Sequence, residues 1–133
     1  MHDSKPDCAI VPVVPSRRYV FDHHRLHAYD VALDALVLGV KLSKTLPRGF
    51  GSLADRLRRA LQGAFLQTTE AANRTGNDRI ARFRIARAEA GEAAGALEAI
   101  ERLELADADA IDTVLALLHR LCAMLTRLAA LGR

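Results

Sequence analysis

The chain has 133 residues, half of them hydrophobic, which is enough for one domain with its own core. Trp is absent and aromatic residues make up only 5%, which disfavours sandwiches and barrels. The abundance of Ala, Leu and Arg favours helices. Cys8 and Cys122 are too few for a disulfide framework or a four-Cys zinc site, and no uncharged apolar run of about 18 residues offers a membrane span. The charged, Pro-broken start makes a poor signal peptide, so a reduced, cytoplasmic, all-helical protein is expected.

Residues 1–21 read as an arm. Pro6, Pro12 and Pro15 forbid a regular helix there. Ala9-Ile10-Val11 and Val13-Val14 suit an edge strand, docking on a neighbouring subunit, or a disordered tail. The spacing then predicts four helices over 22–133. The first starts near Asp22 to Leu26 and runs to about Leu46, with Tyr29, Leu33, Leu36 and Val40 as its apolar stripe. Pro47 and Gly49 break it, and Gly51-Ser52 offers an N-cap to the next. The second spans about Leu53 to Ala72, burying Leu53, Leu57, Ala60, Leu61 and Ala64.

Residues 73–77 form a turn by composition, and a third helix covers about Asp78 to Leu105 with Phe83, Ala86, Ala90, Ala94 and Leu97 inward. Gly91 and Gly95 each cost about 1 kcal/mol in mid-helix, so a packing reason is expected for them. Asp107 or Asp109 caps the fourth helix, where Ile111, Leu118 and Leu125 repeat every seven residues with Val114, Leu121 and Leu128 between. The expected architecture is an all-α, up-down-up-down antiparallel four-helix bundle.

The charge is segregated. Residues 41–87 hold eleven Lys/Arg against three acids, and residues 88–112 hold one against eight. A basic half of this kind can attract nucleic-acid phosphates, join an acidic half of another copy, or be neutralised within one bundle. The nucleic-acid candidates are Arg48, Arg56, Arg74, Arg79, Arg82, Arg84 and Arg87, which offer charge with little aromatic stacking. Arg59, Leu66, Glu70, Ile85, Glu92 and Leu103 fall on the sides of the second and third helices away from the core. They are the candidate oligomer interface.

His23 and His27, four apart, would share a helix face with Asp22 and are weak metal candidates; a polar helix start is the plainer reading. No nucleophile constellation and no phosphate-cradling Gly loop stand out. A non-enzymatic protein without cofactors is expected.

Leu57-Arg58-Arg59-Ala60, Glu70, Arg82-Phe83-x-x-Ala86 with Glu92, Tyr29-Asp30-Val31-Ala32 and Leu46-Pro47 together carry a resemblance. Over residues 21–131 the chain resembles the bacterial four-helix-bundle family of 23S rRNA intervening-sequence proteins and the accessory variability determinants of diversity-generating retroelements. Where that family has Ile-Pro-x-Asn-Ile-Ala-Glu-Gly, this chain reads Ala64-Phe65-Leu66-Gln67-Thr68-Thr69-Glu70-Ala71, which predicts a straighter second helix that ends later. The resemblance implies a cyclic homo-oligomer, a pentamer in expectation, and no catalytic chemistry. For the retroelement branch it implies RNA or DNA binding through a basic surface and a reverse transcriptase partner. It defines no biochemical role for the rRNA-associated branch.

Overall fold

The computed structural model describes residues 17–131. A 3-10 turn at Asp22–Arg25 precedes four helices: α1 (His27–Ser43), α2 (Gly51–Ala72), α3 (Gly76–Arg102) and α4 (Ala108–Leu131). Each helix packs on its chain neighbours, and α1 also packs on α4, which closes an up-down-up-down antiparallel ring. Of the arm, residues 1–16 lie outside the described residues. Tyr19, Val20 and Phe21 are exposed and irregular.

The helix ends show which local chemistry prevails. Leu26 has extended backbone, so α1 begins at His27 rather than inside the Asp22–Leu26 stretch. The preceding turn is held by the Phe21 N–H, which donates to His24 Nδ1 at 3.0 Å. At its other end α1 stops at Ser43, three residues before the expected Leu46. There the Ser43 and Thr45 hydroxyls donate to the Val40 and Leu42 carbonyls, at 2.6 and 2.7 Å, while Pro47 steers Leu46 away from helix.

Gly49 supplies the positive φ of the loop, and the N-cap of α2 is Phe50 rather than the Gly51-Ser52 pair. No proline interrupts α2, which runs unbroken to Ala72. The end of α3 is a Schellman motif. The Leu105 N–H reaches the Ile100 carbonyl and the Glu104 N–H the Glu101 carbonyl, both at 3.0 Å, and Leu105 packs on the core. That motif places Glu104 at φ 57, a conformation that favours glycine. Asp107 then caps α4, its carboxylate accepting from the Ala110 N–H at 2.9 Å.

The core mixes large and small side chains: Leu57 and Leu61 come from α2, Phe83, Leu97 and Ile100 from α3, and Leu117, Leu118, Leu121 and Leu125 from α4, with alanines of α1, α2 and α3 between them. At Gly39 a Cβ would stand 2.3 Å from Leu61 Cδ1, so this glycine admits the leucine. The stripes expected on α3 and α4 are core, with Ala94 and Leu128 half-buried at its margin.

The stripe expected on α1 is not the core face. Ala28, Val31, Ala32, Ala35, Gly39 and Leu42 are buried, whereas Tyr29, Leu33, Leu36 and Val40 are half-buried. This helix is apolar around most of its circumference, and the leucines of α2 and α4 leave room only for its small side.

Asp34 is the one carboxylate buried among the described residues, in the groove between α1 and α4. Burial, reinforced by Asp30, raises its pKa above the ordinary carboxylate range; Arg120 and His27 pull the other way. Ionised Asp34 therefore costs stability at neutral pH, and the cost fades as pH falls through the raised value towards the unfolded-chain value. Asp34→Asn is expected to stabilise the protein at neutral pH, with the gain shrinking at about pH 4 in urea titrations. Glu104→Gly is expected to add about 0.5–1 kcal/mol by the same titration, by relieving the left-handed conformation.

Candidate nucleic-acid interface and oligomer face

The short turn between α2 and α3 makes these helices antiparallel, so the acidic end of α3 returns beside the start of α2. Arg56 meets Glu92 at 3.1 Å across the two helices. The linear charge blocks are thereby redistributed along the bundle axis. Divided at the helix midpoints, the half holding the α2–α3 turn (residues 17–35, 62–88 and 120–131) has ten Lys/Arg and five Asp/Glu, or +5. The other half (36–61 and 89–119) has seven and nine, or −2.

The seven nominated arginines divide accordingly. Arg48 and Arg56 belong to the acidic half, while Arg74, Arg79, Arg82, Arg84 and Arg87 gather around the start of α3. Their environments differ. Arg74 bridges Glu70 at 3.1 Å and Asp78 at 2.8 Å, and the hydrogen bonds it donates to Asp78 and Glu70 hold its guanidinium pKa above the usual value. Arg82 lies 3.5 Å from Asp78 and donates to Gln67, and Arg79 stacks 5.1 Å from the centre of the Phe83 ring. Arg87 donates to the Thr126 hydroxyl at 2.6 Å, tying α3 to α4 without neutralising its charge. Arg84 is exposed and has no ion-pair partner among the described residues.

On the α2–α3 face, Leu66 and Ile85 stand at one level of the antiparallel pair, 58% and 42% exposed. Glu89 lies across Gly63 beside them; a Cβ on Gly63 would sit 2.6 Å from its carboxylate carbon. Arg59 is exposed on the same face. Of the other interface candidates, Glu92 is taken by Arg56 and Glu70 by Arg74. Leu103, 54% exposed, lies at the far end of α3, about 27 Å from Ile85 at 1.5 Å per residue.

His23 and His27 do not share a helix face, because Leu26 interrupts the helix between them. His23 stacks on Phe21 with ring centres 5.6 Å apart, and His27 Nε2 lies 3.1 Å from the Arg120 guanidinium. No group of three His, Cys, Asp or Glu converges among the described residues. Cys122 is half-buried, and burial pushes its thiol pKa up, away from the reactive thiolate.

Two features escaped the sequence reading. One is a chain of rings, Phe21, His23, Tyr29 and Phe65, joining the arm's root to α2. The other is a cleft of about 520 Å³ between the end of α1 and the start of α4, walled by Leu38, Leu42, Leu105 and Ala110. No sequence signal announces either, since each joins residues far apart in the chain.

By length and composition α4 is apolar enough to cross a bilayer, yet Leu117, Leu118, Leu121 and Leu125 face the bundle core and Arg120 and Arg127 are exposed. Comparison with protein-family models gives no match, and comparison with curated proteins gives none.

The two mid-helix glycines of α3 have no packing partner inside the protomer: a Cβ at Gly91 or Gly95 would meet nothing within 4 Å. Gly91→Ala and Gly95→Ala are each expected to raise the stability of the isolated protomer by about 0.5–1 kcal/mol in urea titrations. A loss of stability on dilution of the variants relative to the parent would place that face in an interface instead.

Proposed function

We propose that this chain is a non-enzymatic, homo-oligomeric, cytoplasmic adaptor that holds the sugar–phosphate backbone of RNA or DNA against its basic half. The observation that supports this reading is the sorting of charge along the bundle to +5 and −2, which leaves the start of α3 strongly cationic. Arg84 and Arg87 carry the reading furthest, because neither is ion-paired with a carboxylate among the described residues. Arg127 lies on α4, in the same half. Such a surface has positive field and little to read bases with, so contacts are to phosphates and groove shape. The resemblance to the intervening-sequence and accessory-determinant family favours the same reading. It adds a cyclic oligomer, a pentamer in expectation, and a reverse transcriptase as the protein partner.

A second reading, a self-assembly module without nucleic acid, is favoured by the exposed Leu66 and Ile85 beside Arg59 and Glu89. An apolar centre with charges of both signs at its margin suits contact between copies.

Fluorescence anisotropy of labelled RNA and DNA duplexes across a salt series separates the two. The adaptor reading expects affinity to fall steeply with salt, and Arg84→Glu with Arg87→Glu to weaken binding and flatten the logarithmic slope by about 2. Light scattering should find the variant's mass unchanged. Absence of binding at low salt, with mass lowered by Leu66→Asp, would leave self-assembly standing.

A further inference from the structure

The basic half of the bundle also carries the exposed rings of the segment that leads into α1. Tyr19 and Phe21 are 66% and 56% exposed, with Val20 between them 73% exposed. Three successive large apolar side chains in water mark a contact surface.

Phe21 is held in place from below. Its ring stacks on His23 with the planes within 10° of parallel, His23 leans on Tyr29 at 4.7 Å, and Tyr29 on Phe65 at 5.3 Å. His23 Nδ1 lies 3.4 Å from the Asn73 side-chain amide, so this ladder of rings adjoins the turn before α3. One face of the Phe21 ring is thus spent on His23, while more than half of the residue stays open.

Cations stand around the ladder. Arg74 follows Asn73 in the turn, and Arg18 precedes Tyr19. Arg25 and Arg79 wall one hollow of about 280 Å³ with Leu26 and Ala72. Asp22 lines it as well, so two guanidinium groups face a single carboxylate there. An open aromatic face beside guanidinium groups matches a nucleotide, whose base lies on the ring while its phosphate meets the cation. Inside a duplex each base is already stacked between neighbours; a single strand leaves its bases free to take the platform.

We infer that Tyr19 and Phe21 form a stacking platform for single-stranded nucleic acid, with Arg25 and Arg79 meeting the flanking phosphates. The inference rests on the basic-half reading and adds the strandedness of the ligand to it. Because every base has a π-face, the platform holds a strand without reading its sequence. A rigid ring also loses little freedom when a base settles on it.

Three labelled probes of about 12 nucleotides test this by fluorescence anisotropy with the full chain: oligo(dT), an abasic strand with the same phosphates, and a duplex. Oligo(dT) is expected to bind about tenfold more tightly than the abasic strand. Tyr19→Leu with Phe21→Leu, which keeps apolar bulk, should remove that advantage and leave the logarithmic salt slope unchanged. Phe21→Tyr should retain it. Equal affinity for oligo(dT) and the abasic strand would overturn the inference, as would an advantage that survives the double leucine variant. In either case, binding of the abasic strand and duplex that Arg84→Glu with Arg87→Glu weakens would leave the basic-half reading standing. No binding of any probe at low salt would overturn both.

Discussion

The three-residue turn between α2 and α3 forces those two helices to run side by side in opposite directions, and the protein's electrostatics depend on that reversal. In the linear chain, eleven cations precede eight acids, a pattern of two opposed blocks. Folding back at residues 73–75 sets Glu92 against Arg56 and carries the later acids of α3 to the same end of the bundle as the basic end of α1. One end of the bundle is thereby offset, and the turn end keeps an uncompensated excess. An exposed pair such as Arg56–Glu92 contributes little stability by itself, at most about 1 kcal/mol. Its importance lies in where it cancels charge.

Legibility in the sequence followed how many alternatives each segment left open. The stripe of α4 was readable because its heptad spacing leaves one apolar side, and Ile111, Val114, Leu118, Leu121 and Leu125 are all buried. α1 was not, because Leu33, Leu36 and Val40 offer as good a period as Ala28, Ala32, Ala35 and Gly39. Only the bulk of Leu61 and its neighbours decides between them. Caps behaved likewise. Asp107 announces the start of α4 by chemistry, whereas α2 begins after Phe50 with no side-chain cap.

The candidate site was legible as a list and not as a place. Arg48 and Arg56 share a sequence block with Arg84 and Arg87, yet Arg56 is paired with Glu92, about 8 Å along α3 from Arg87 and 12 Å from Arg84 at 1.5 Å per residue, and Arg48 stands farther off in the loop before α2. His23 and His27 have metal-ligand spacing only if the helix is continuous, and the extended backbone of Leu26 removes that condition. Whether an arginine is neutralised depends on contacts such as Asp78 with Arg74 and Arg82, which arise within one turn of α3 and compete with any external phosphate. Arg84, pointing from the same turns without such a neighbour, has the opposite character.

Mapping backbone-amide NMR shifts while titrating a short RNA duplex at low salt tests the charge-sorting account most directly. The account predicts perturbations concentrated in residues 74–88 and 120–131, with residues 36–61 and 89–119 nearly silent. Perturbations centred on the acidic half, or none anywhere at saturating duplex, would contradict it.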